Sequence, residues 1–425
     1  SNFGHGGIGK RYNIRDGKTA VYYAGGGAAG RTSLIGIRSG GGLGGGGDGA
    51  PYSYTPLTDA NHGGNGKANT GGGGGGSYST HTDAYRGGKG GSGIVIVRVP
   101  QNLKNKLNIP KATGGIISYY TLSNVNYCIH TFLDSGSFIP ESSLQIDYLI
   151  VAGGGSGGSG GDQTHEGAGG GAGGLIYQTG ITFTNSTYNI IIGKGGSENS
   201  NGENSSITGT GLTSNRIALG GGKGGHSDYP FSYGGGPYNS QQEGNDGGSG
   251  GGAAGAGNPV VLTGGSAIVT SGDTLIQMST TPNQVGVFGN KGGDDVNVTH
   301  NTGAGGGGAG GRGQVGSLQI GSSNKSGSGF GGVGKQYSIR TGSLEYYAGG
   351  GGACSNDDVN AIGAPGGLGG GGKGGGGSKI EQATGDLIGE DGKPNTGGGG
   401  GGTQSRSSVK GGDGGSGIVV IRYQL

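Results

Sequence analysis

NTGGGGGG occurs at Asn69–Gly76 and again at Asn395–Gly402. Six consecutive glycines carry no side-chain information and lose the most backbone freedom on ordering. A chain that uses such a run twice, each time behind Asn-Thr, has either a low-complexity tract or a backbone that must pack against backbone. The surrounding sequence decides between the two.

Matching stretches lie about 325 residues apart. GKRYNIRDG at Gly9–Gly17 returns as GKQYSIRTG at Gly334–Gly342, and YYAGGG at Tyr22–Gly27 returns at Tyr346–Gly351. LGGGG at Leu43–Gly47 returns at Leu368–Gly372, and GGSGIVIVR at Gly90–Arg98 returns as GGSGIVVIR at Gly414–Arg422. The glycines hold register while the loops between them change: Ala50–His62 and Gly377–Pro394 share no pattern. A disordered tract has no reason to keep register around fixed Tyr, Ile and Arg. The expected organisation is therefore the later part of a first repeat over 1–100, a polar linker over 101–115, and a complete second repeat over 116–425. Within that second repeat we expect a strand region over 116–152, a glycine bundle over 153–416 and a closing strand over 417–425.

Composition limits how such a repeat can pack. Of 425 residues 123 are glycine, about four times the usual share. Hydrophobic residues are 28% and charged residues 12%, too few for ordinary cores across this length. Collagen needs glycine at every third position with abundant proline, but the chain has only 11 prolines and runs such as GGGSGGSGG at Gly153–Gly161. Calcium β-rolls need a repeated G-G-x-G-x-D unit, and no series of these is present. The remaining option is a bundle of polyproline-II-like helices made of glycine. Such a helix has three residues per turn and no internal hydrogen bonds, so each N–H and C=O can pair with a neighbouring helix. Where one of three faces is exposed, one residue in three can carry a side chain. Where all three are covered, every residue must be glycine. GGGGGG then marks a helix at the centre of a bundle, with Gly71, Gly73 and Gly76 in one copy and Gly397, Gly399 and Gly402 in the other as packed positions. Gly73→Val and Gly399→Val are expected to break that packing.

Strands bracket the glycine region. VNYCIHTF at Val125–Phe132 and LQIDYLIVA at Leu144–Ala152 alternate with a period of two. TYNIIIGKGG at Thr187–Gly196 reads as a short buried strand. GIVVIR at Gly417–Arg422 is a continuous apolar run, which suits a strand covered on both faces. It is expected to pair beside Tyr148–Ala152. Helical periodicity is missing, so the fold class is non-α: packed glycine helices bracketed by short β-strands.

YLIVAGGGSGG, GGGAGGL, NIIIGKGG, ALGGGKGG, NTGGGGGG and the closing GGSGIVVIRY, in this order, resemble the glycine-rich domain of phage tail-fibre and adhesin proteins. Similar domains occur in surface proteins of large aquatic DNA viruses and some bacteria. The resemblance covers nearly all of 116–425 and, partially, 1–98. It implies a sandwich of polyglycine-II helices whose end loops contact a host receptor. Tandem copies depart from a compact adhesin tip and favour a repeated shaft, filament or surface array.

Signs of other chemistry are weak. Net charge is +2 with no basic run to track phosphates, so nucleic acid is not an expected partner. No stretch of eighteen apolar residues suggests membrane insertion. GGVGKQY at Gly331–Tyr337 is faintly like a phosphate loop, but Gln336 stands where Ser or Thr is required. Seven scattered histidines give no metal motif, and no cofactor is expected. The pairs Asp294–Asp295 and Asp357–Asp358 read as solvated turn carboxylates. Cys128 and Cys354 fit no disulfide framework. No catalytic arrangement recurs in both copies, so no enzyme is expected.

One surface stretch stands out. HSDYPFSYGGGPYNSQQE at His226–Glu243 combines Tyr229, Phe231, Tyr233 and Tyr238 with Ser, Gly and Asn. That mix suits a contact loop of rigid aromatics and adaptable polar groups, and equally a loop folding its aromatics over a bundle end. The expected role is a structural subunit of an extracellular or virion-surface fibre. Its expected partners are neighbouring repeats and a host glycan or protein receptor. A bacterial or archaeal filament or adhesin and an ice-binding protein are the alternatives.

Overall fold

A computed structural model of the chain describes residues 4–15, 19–30, 38–51, 62–77, 86–97, 109–160, 166–226, 242–255, 261–269, 275–276, 281–295, 303–316, 329–354, 363–376, 388–404 and 410–425. The chain divides into two compact units, Ser1–Leu107 and Asn108–Leu425. Among the described residues there is no helix, and hence none long and apolar enough to cross a membrane.

The first unit holds one short hairpin of strands β1 (Lys10–Tyr12) and β2 (Val21–Tyr23), with Arg11 opposite Tyr22. The rest of its described backbone is glycine-rich segments bonded to one another rather than into a sheet.

The second unit is built on two large sheets and a separate two-stranded hairpin. The strands in chain order are β3 (Ala112–Thr113), β4 (Ile116–Leu122), β5 (Val125–Phe132), β6 (Gly136–Pro140), β7 (Leu144–Val151), β8 (Leu175–Phe183) and β9 (Tyr188–Ile191). They continue with β10 (Ser205–Thr208), β11 (Arg216–Ala218), β12 (Leu275–Ile276), β13 (Gly286–Phe288), β14 (Lys335–Tyr337), β15 (Glu345–Tyr347) and β16 (Ile418–Gln424). One sheet has seven strands in the order β12-β13-β8-β7-β16-β5-β4, the other five in the order β11-β10-β9-β6-β3. β4 and β5 form a hairpin over Ser123 and Asn124, both at positive φ (50° and 63°), the geometry of a two-residue turn matched to strand twist.

β16 lies between β7 and β5, antiparallel to both, with Ile421 opposite Tyr148 on one side and His130 on the other. Pairing beside Tyr148–Val151 is what the apolar run called for. Both faces of β16 are buried. Val419, Ile421 and Tyr423 pack with Phe138, Tyr188 and Ile207 of the five-stranded sheet. Ile418 and Val420 pack with Tyr337, Tyr347 and Ala348 near the hairpin of β14 and β15. The seven-stranded sheet is thus a middle layer, with the second sheet on one face and glycine-rich backbone on the other.

Three sequence expectations change in the structure. β9 buries Tyr188 and Ile190 but leaves Ile191 50% exposed, because the five-stranded sheet covers its core on one face only. The expected linker 101–115 ends early: Ala112 and Thr113 form β3 against β6, and the Lys111 amide donates to the Tyr423 hydroxyl. The span 153–416 contributes eight strands, β8 to β15, besides its glycine segments. These strands fall where Leu, Ile, Val, Tyr and Phe interrupt the glycine, as in LIYQTGITF.

Candidate functional site

The Asn-Thr pair before each six-glycine run is a turn with a fixed mechanism. Asn395 sits at φ 61° and Gly397 at φ 70°, left-handed values that Asn and Gly tolerate. The Thr396 hydroxyl donates to Lys393 O at 2.6 Å and accepts the Gly398 amide at 3.2 Å, so it closes the turn on both sides. The Ser416 hydroxyl accepts the Asn395 amide at 2.9 Å. The first unit uses the same devices. Asn69 has φ 58°, Thr70 donates to Lys67 O at 2.6 Å, and the Ser92 hydroxyl accepts the Asn69 amide at 2.8 Å.

Beyond that turn, Gly397–Gly402 is enclosed by six segments, and its hydrogen bonds repeat every third residue. Gly399 and Gly402 donate to Gly349 and Gly352, and accept from Gly372 and Gly375. Gly400 and Thr403 donate to Gly155 and Gly158, while Gly397 and Gly400 accept from Gly173 and Gly170. Gly401 donates to Glu390, and Gly398 and Gly401 accept from Gly415 and Gly412. All these bonds are 2.8–2.9 Å long. A Cβ would lie 2.5 Å from Ala152 O at Gly397, 2.0 Å from Gly170 O at Gly399 and 2.2 Å from Gly167 O at Gly402. No side chain fits at these positions.

Residues 167–174 are also enclosed on six sides, by segments around Gly155, Gly222, Gly252, Ala304, Gly351 and Gly400. Yet this stretch contains Ala168 and Ala172. Full enclosure therefore does not demand glycine throughout, contrary to the sequence expectation. The Ala172 methyl joins the apolar cluster with Leu149 and Val151, where a methyl adds to the packing.

In the first unit the corresponding positions are more open. A Cβ at Gly71 (φ 68°) would meet nothing within 4 Å, while the nearest atom would be Gly27 N at 2.9 Å for Gly73 and Gly30 N at 3.0 Å for Gly76. The nearest neighbours that close Gly397, Gly399 and Gly402 come from Val151–Gly170, and no described residue of the first unit takes their place at Gly71, Gly73 and Gly76. Gly73 still has a backbone atom, Gly27 N, closer to the Cβ position than a side chain tolerates.

Tyr229, Phe231, Tyr233 and Tyr238 lie outside the described residues, as do Asp357 and Asp358. His226, at the edge of that loop, is buried, and its Nε2 accepts from the side-chain Nδ2 of Asn199 at 3.1 Å. Asp295 is buried rather than solvated, and its backbone bonds Leu262 in both directions. Asp294 pairs with Lys291 and accepts the Gly264 amide. Within Gly331–Tyr337, Lys335 turns inward: Nζ donates to Thr281 O and to Gln284 Oε1 and lies 4.4 Å from the Phe288 ring centre. Burial lowers that ammonium to about 8. Cys128 and Cys354 are both free and buried. Among the described residues no three His, Cys, Asp or Glu side chains are grouped to hold a metal.

Two polar clusters were not foreseen. Arg422 on β16 donates through Nε to Asp147 on β7 at 3.1 Å and through Nη1 to the Tyr120 hydroxyl at 2.7 Å. Its guanidinium lies 4.7 Å from the Tyr127 ring centre. Burial works against its charge, but the hydrogen bonds it donates to Tyr120 and Asp147 outweigh burial and hold it above the ordinary arginine value. In the other layer, the His130 ring contacts Gly114 O through Nδ1 at 2.7 Å and the Tyr423 hydroxyl through Nε2 at 3.1 Å. A carbonyl only accepts, so Nδ1 carries the proton and Nε2 accepts from Tyr423. Burial pushes His130 below and Cys128 and Tyr423 above their usual values, which keeps the cluster neutral.

The chain belongs to a family described as the glycine-rich domain, whose profile matches residues 1–100 and 133–424. No curated protein matches it significantly.

Proposed function

We propose that the chain is a structural, non-catalytic repeat of an extracellular or virion-surface fibre of the phage tail-fibre and adhesin type. Its glycine segments are polyglycine-II helices, and its loops make adhesive or receptor contacts. The observation that carries this reading is the three-residue period of the hydrogen bonds around Gly397–Gly402, with six neighbours. Three residues per turn and outward-facing amides are the signature of this helix. Glycine admits the backbone approach, and weak Cα–H···O contacts add to it.

Matched geometry supports a repeat of about 325 residues. φ is 57° at both Ala24 and Ala348, 105° and 106° at Gly44 and Gly369, and 92° and 96° at Gly45 and Gly370. A scaffold held by its backbone leaves the connecting loops free to vary, which suits contact with a host glycan or protein. Aromatic residues 229–238 are the first candidates for that contact.

Electron microscopy of the native source with an antibody against His226–Glu243 tests the proposal. Regular labelling along extracellular or virion fibres is expected. Signal confined to the cell interior would overturn it.

A further inference from the structure

Asn-Gly is a dipeptide prone to self-modification, because glycine puts no Cβ in the way of its own amide nitrogen. The chain contains it twice, at Asn65–Gly66 and Asn201–Gly202. Both asparagines are exposed, and both are tied into the glycine packing by the same device. Asn65 Oδ1 accepts the Lys89 amide at 2.8 Å, and the Gly66 amide donates to Lys89 O at 2.8 Å. Asn201 Oδ1 accepts the Lys223 amide at 2.9 Å, and the Gly202 amide donates to Gly221 O at 2.9 Å. Side chain and following amide are thus held together by neighbouring backbone.

The second unit shows the first of these sites with a carboxylate in place. NGKANTGGGGGG at Asn65–Gly76 matches DGKPNTGGGGGG at Asp391–Gly402. Asp391 Oδ1 accepts the Asp413 amide at 2.8 Å, and the Gly392 amide donates to Asp413 O at 2.7 Å. The next amide also matches: Lys67 donates to Gly45 and Lys393 to Gly370. Oxygen in place of Nδ2 therefore leaves the pairing intact. An added backbone atom would not. Even a Cβ on Gly66 would lie 2.3 Å from Gly72 O and 2.6 Å from Gly91 N.

We propose that Asn65–Gly66 is a one-way deamidation site, shut while its pairing with Lys89 holds and reactive when that pairing parts. In the open state the Gly66 nitrogen attacks Asn65 Cγ and gives up its proton to water. The bond from Cγ to Nδ2 breaks, and the side-chain nitrogen leaves as ammonia. The resulting succinimide takes up one water. Opening at one carbonyl gives aspartate at position 65; opening at the other gives isoaspartate, whose main chain runs through the side-chain carbon and is one atom longer. Aspartate recloses with the contacts of Asp391. Isoaspartate drives Gly66 into the backbone of Gly72 and Gly91 and keeps the segment open. In the closed state both reacting groups are committed to Lys89, so the product accumulates with time spent open. At the second site Asn201 Nδ2 also donates to Asp246 O at 3.3 Å, which tethers the leaving nitrogen as well. Asn65 therefore reacts first.

Ageing the 425-residue chain at neutral pH, folded and in urea, with peptide mass spectrometry of both sites, tests this. In urea both asparagines are expected to yield aspartate and isoaspartate. In the folded chain Asn65 is expected to react about tenfold or more slowly than in urea, yet ahead of Asn201. Equal rates at Asn65 with and without urea overturn the proposal, as does earlier reaction at Asn201. Hydrogen exchange separates the two products. Over residues 65–72 the Asn65→Asp variant is expected to exchange like the parent, and the aged isoaspartyl chain about tenfold faster. An isoaspartyl chain that exchanges as slowly as the parent has no one-way step and overturns the proposal. So does an Asn65→Asp variant that exchanges as fast as the isoaspartyl chain.

Discussion

The amide of Gly170 donates to the carbonyl of Gly400 at 2.9 Å, and neither residue has room for a single added carbon. A Cβ on Gly400 would sit 2.0 Å from Gly412 O, and one on Gly170 would sit 2.3 Å from Gly155 O. Both obstacles are backbone, which cannot rotate away as a side chain can. Gly400→Ala is therefore expected to destabilise the second unit by about 3 kcal/mol or more. Gly7, which has open space at the Cβ position, serves as the control. Gly7→Ala should stay within about 0.5 kcal/mol of the parent. Urea unfolding of the two variants checks the contrast.

Arg422 and Asp147 form a pair whose side chains are 11% and 22% exposed. Removing one partner strands the other charge in a site with little water. Arg422→Ala should cost about 3 kcal/mol. The double variant Arg422→Ala, Asp147→Ala should lose less than the sum of the single losses, because the stranded charge is gone. A double-mutant cycle by denaturant unfolding measures the coupling.

His130 gives the fold a pH dependence with a defined sign. Burial lowers its folded value below 6.5, partly offset by the Gly114 carbonyl. The unfolded chain then binds a proton more readily than the folded one. The contribution to stability is complete above about 6.5 and is lost as pH falls through the lower folded value. His130→Gln should flatten that part of a stability-versus-pH profile, leaving losses at more acidic pH in place.

Glu345 works in the same direction at lower pH. Burial alone raises its carboxyl, but the Arg340 hydrogen bonds outweigh this and hold it below the usual 4.5. Its contribution is present above 4.5 and disappears as pH drops through the depressed value. Glu345→Gln should remove that acid-limb loss in a urea-midpoint series.

Ile421 and Val97 occupy matching sequence positions in different surroundings. Ile421→Ala should cost about 2–5 kcal/mol, since the side chain is buried between two strands. Val97→Ala should change stability by no more than about 0.5 kcal/mol, because that side chain is 82% exposed. Thermal unfolding of both variants reads the difference.

The parts legible in sequence were those where side chains carry the information. GIVVIR announced a strand buried on both faces, and the alternation in LQIDYLIVA supplied its neighbour. Asn-Thr before glycine was legible only as a recurring marker; its left-handed turn and hydroxyl cap emerge in the fold. Glycine runs, by contrast, do not specify which run lies beside which. Gly170 and Gly400 look like any other glycines until the chain is folded. Ala168 and Ala172 were hidden for a related reason: room for a methyl depends on the direction of one Cβ. The Arg422–Asp147 pair joins residues 275 apart, and a lone arginine after an apolar run does not name its partner. Of the five-stranded sheet only β9 was legible; its other strands are too short for any window to show a clear period.

β16, the last strand of its unit, is also its most enclosed, inserted between β5 and β7. During synthesis those two strands leave the ribosome far ahead of the one that must separate them. At roughly 5–20 residues per second, the 275 residues from Asp147 to Arg422 take on the order of ten seconds to a minute. Until then two apolar strand edges face an empty slot, open to each other or to any foreign strand. Chain growth thus sets a waiting time on folding, and the nascent protein depends on whatever shields that slot until the final strand arrives.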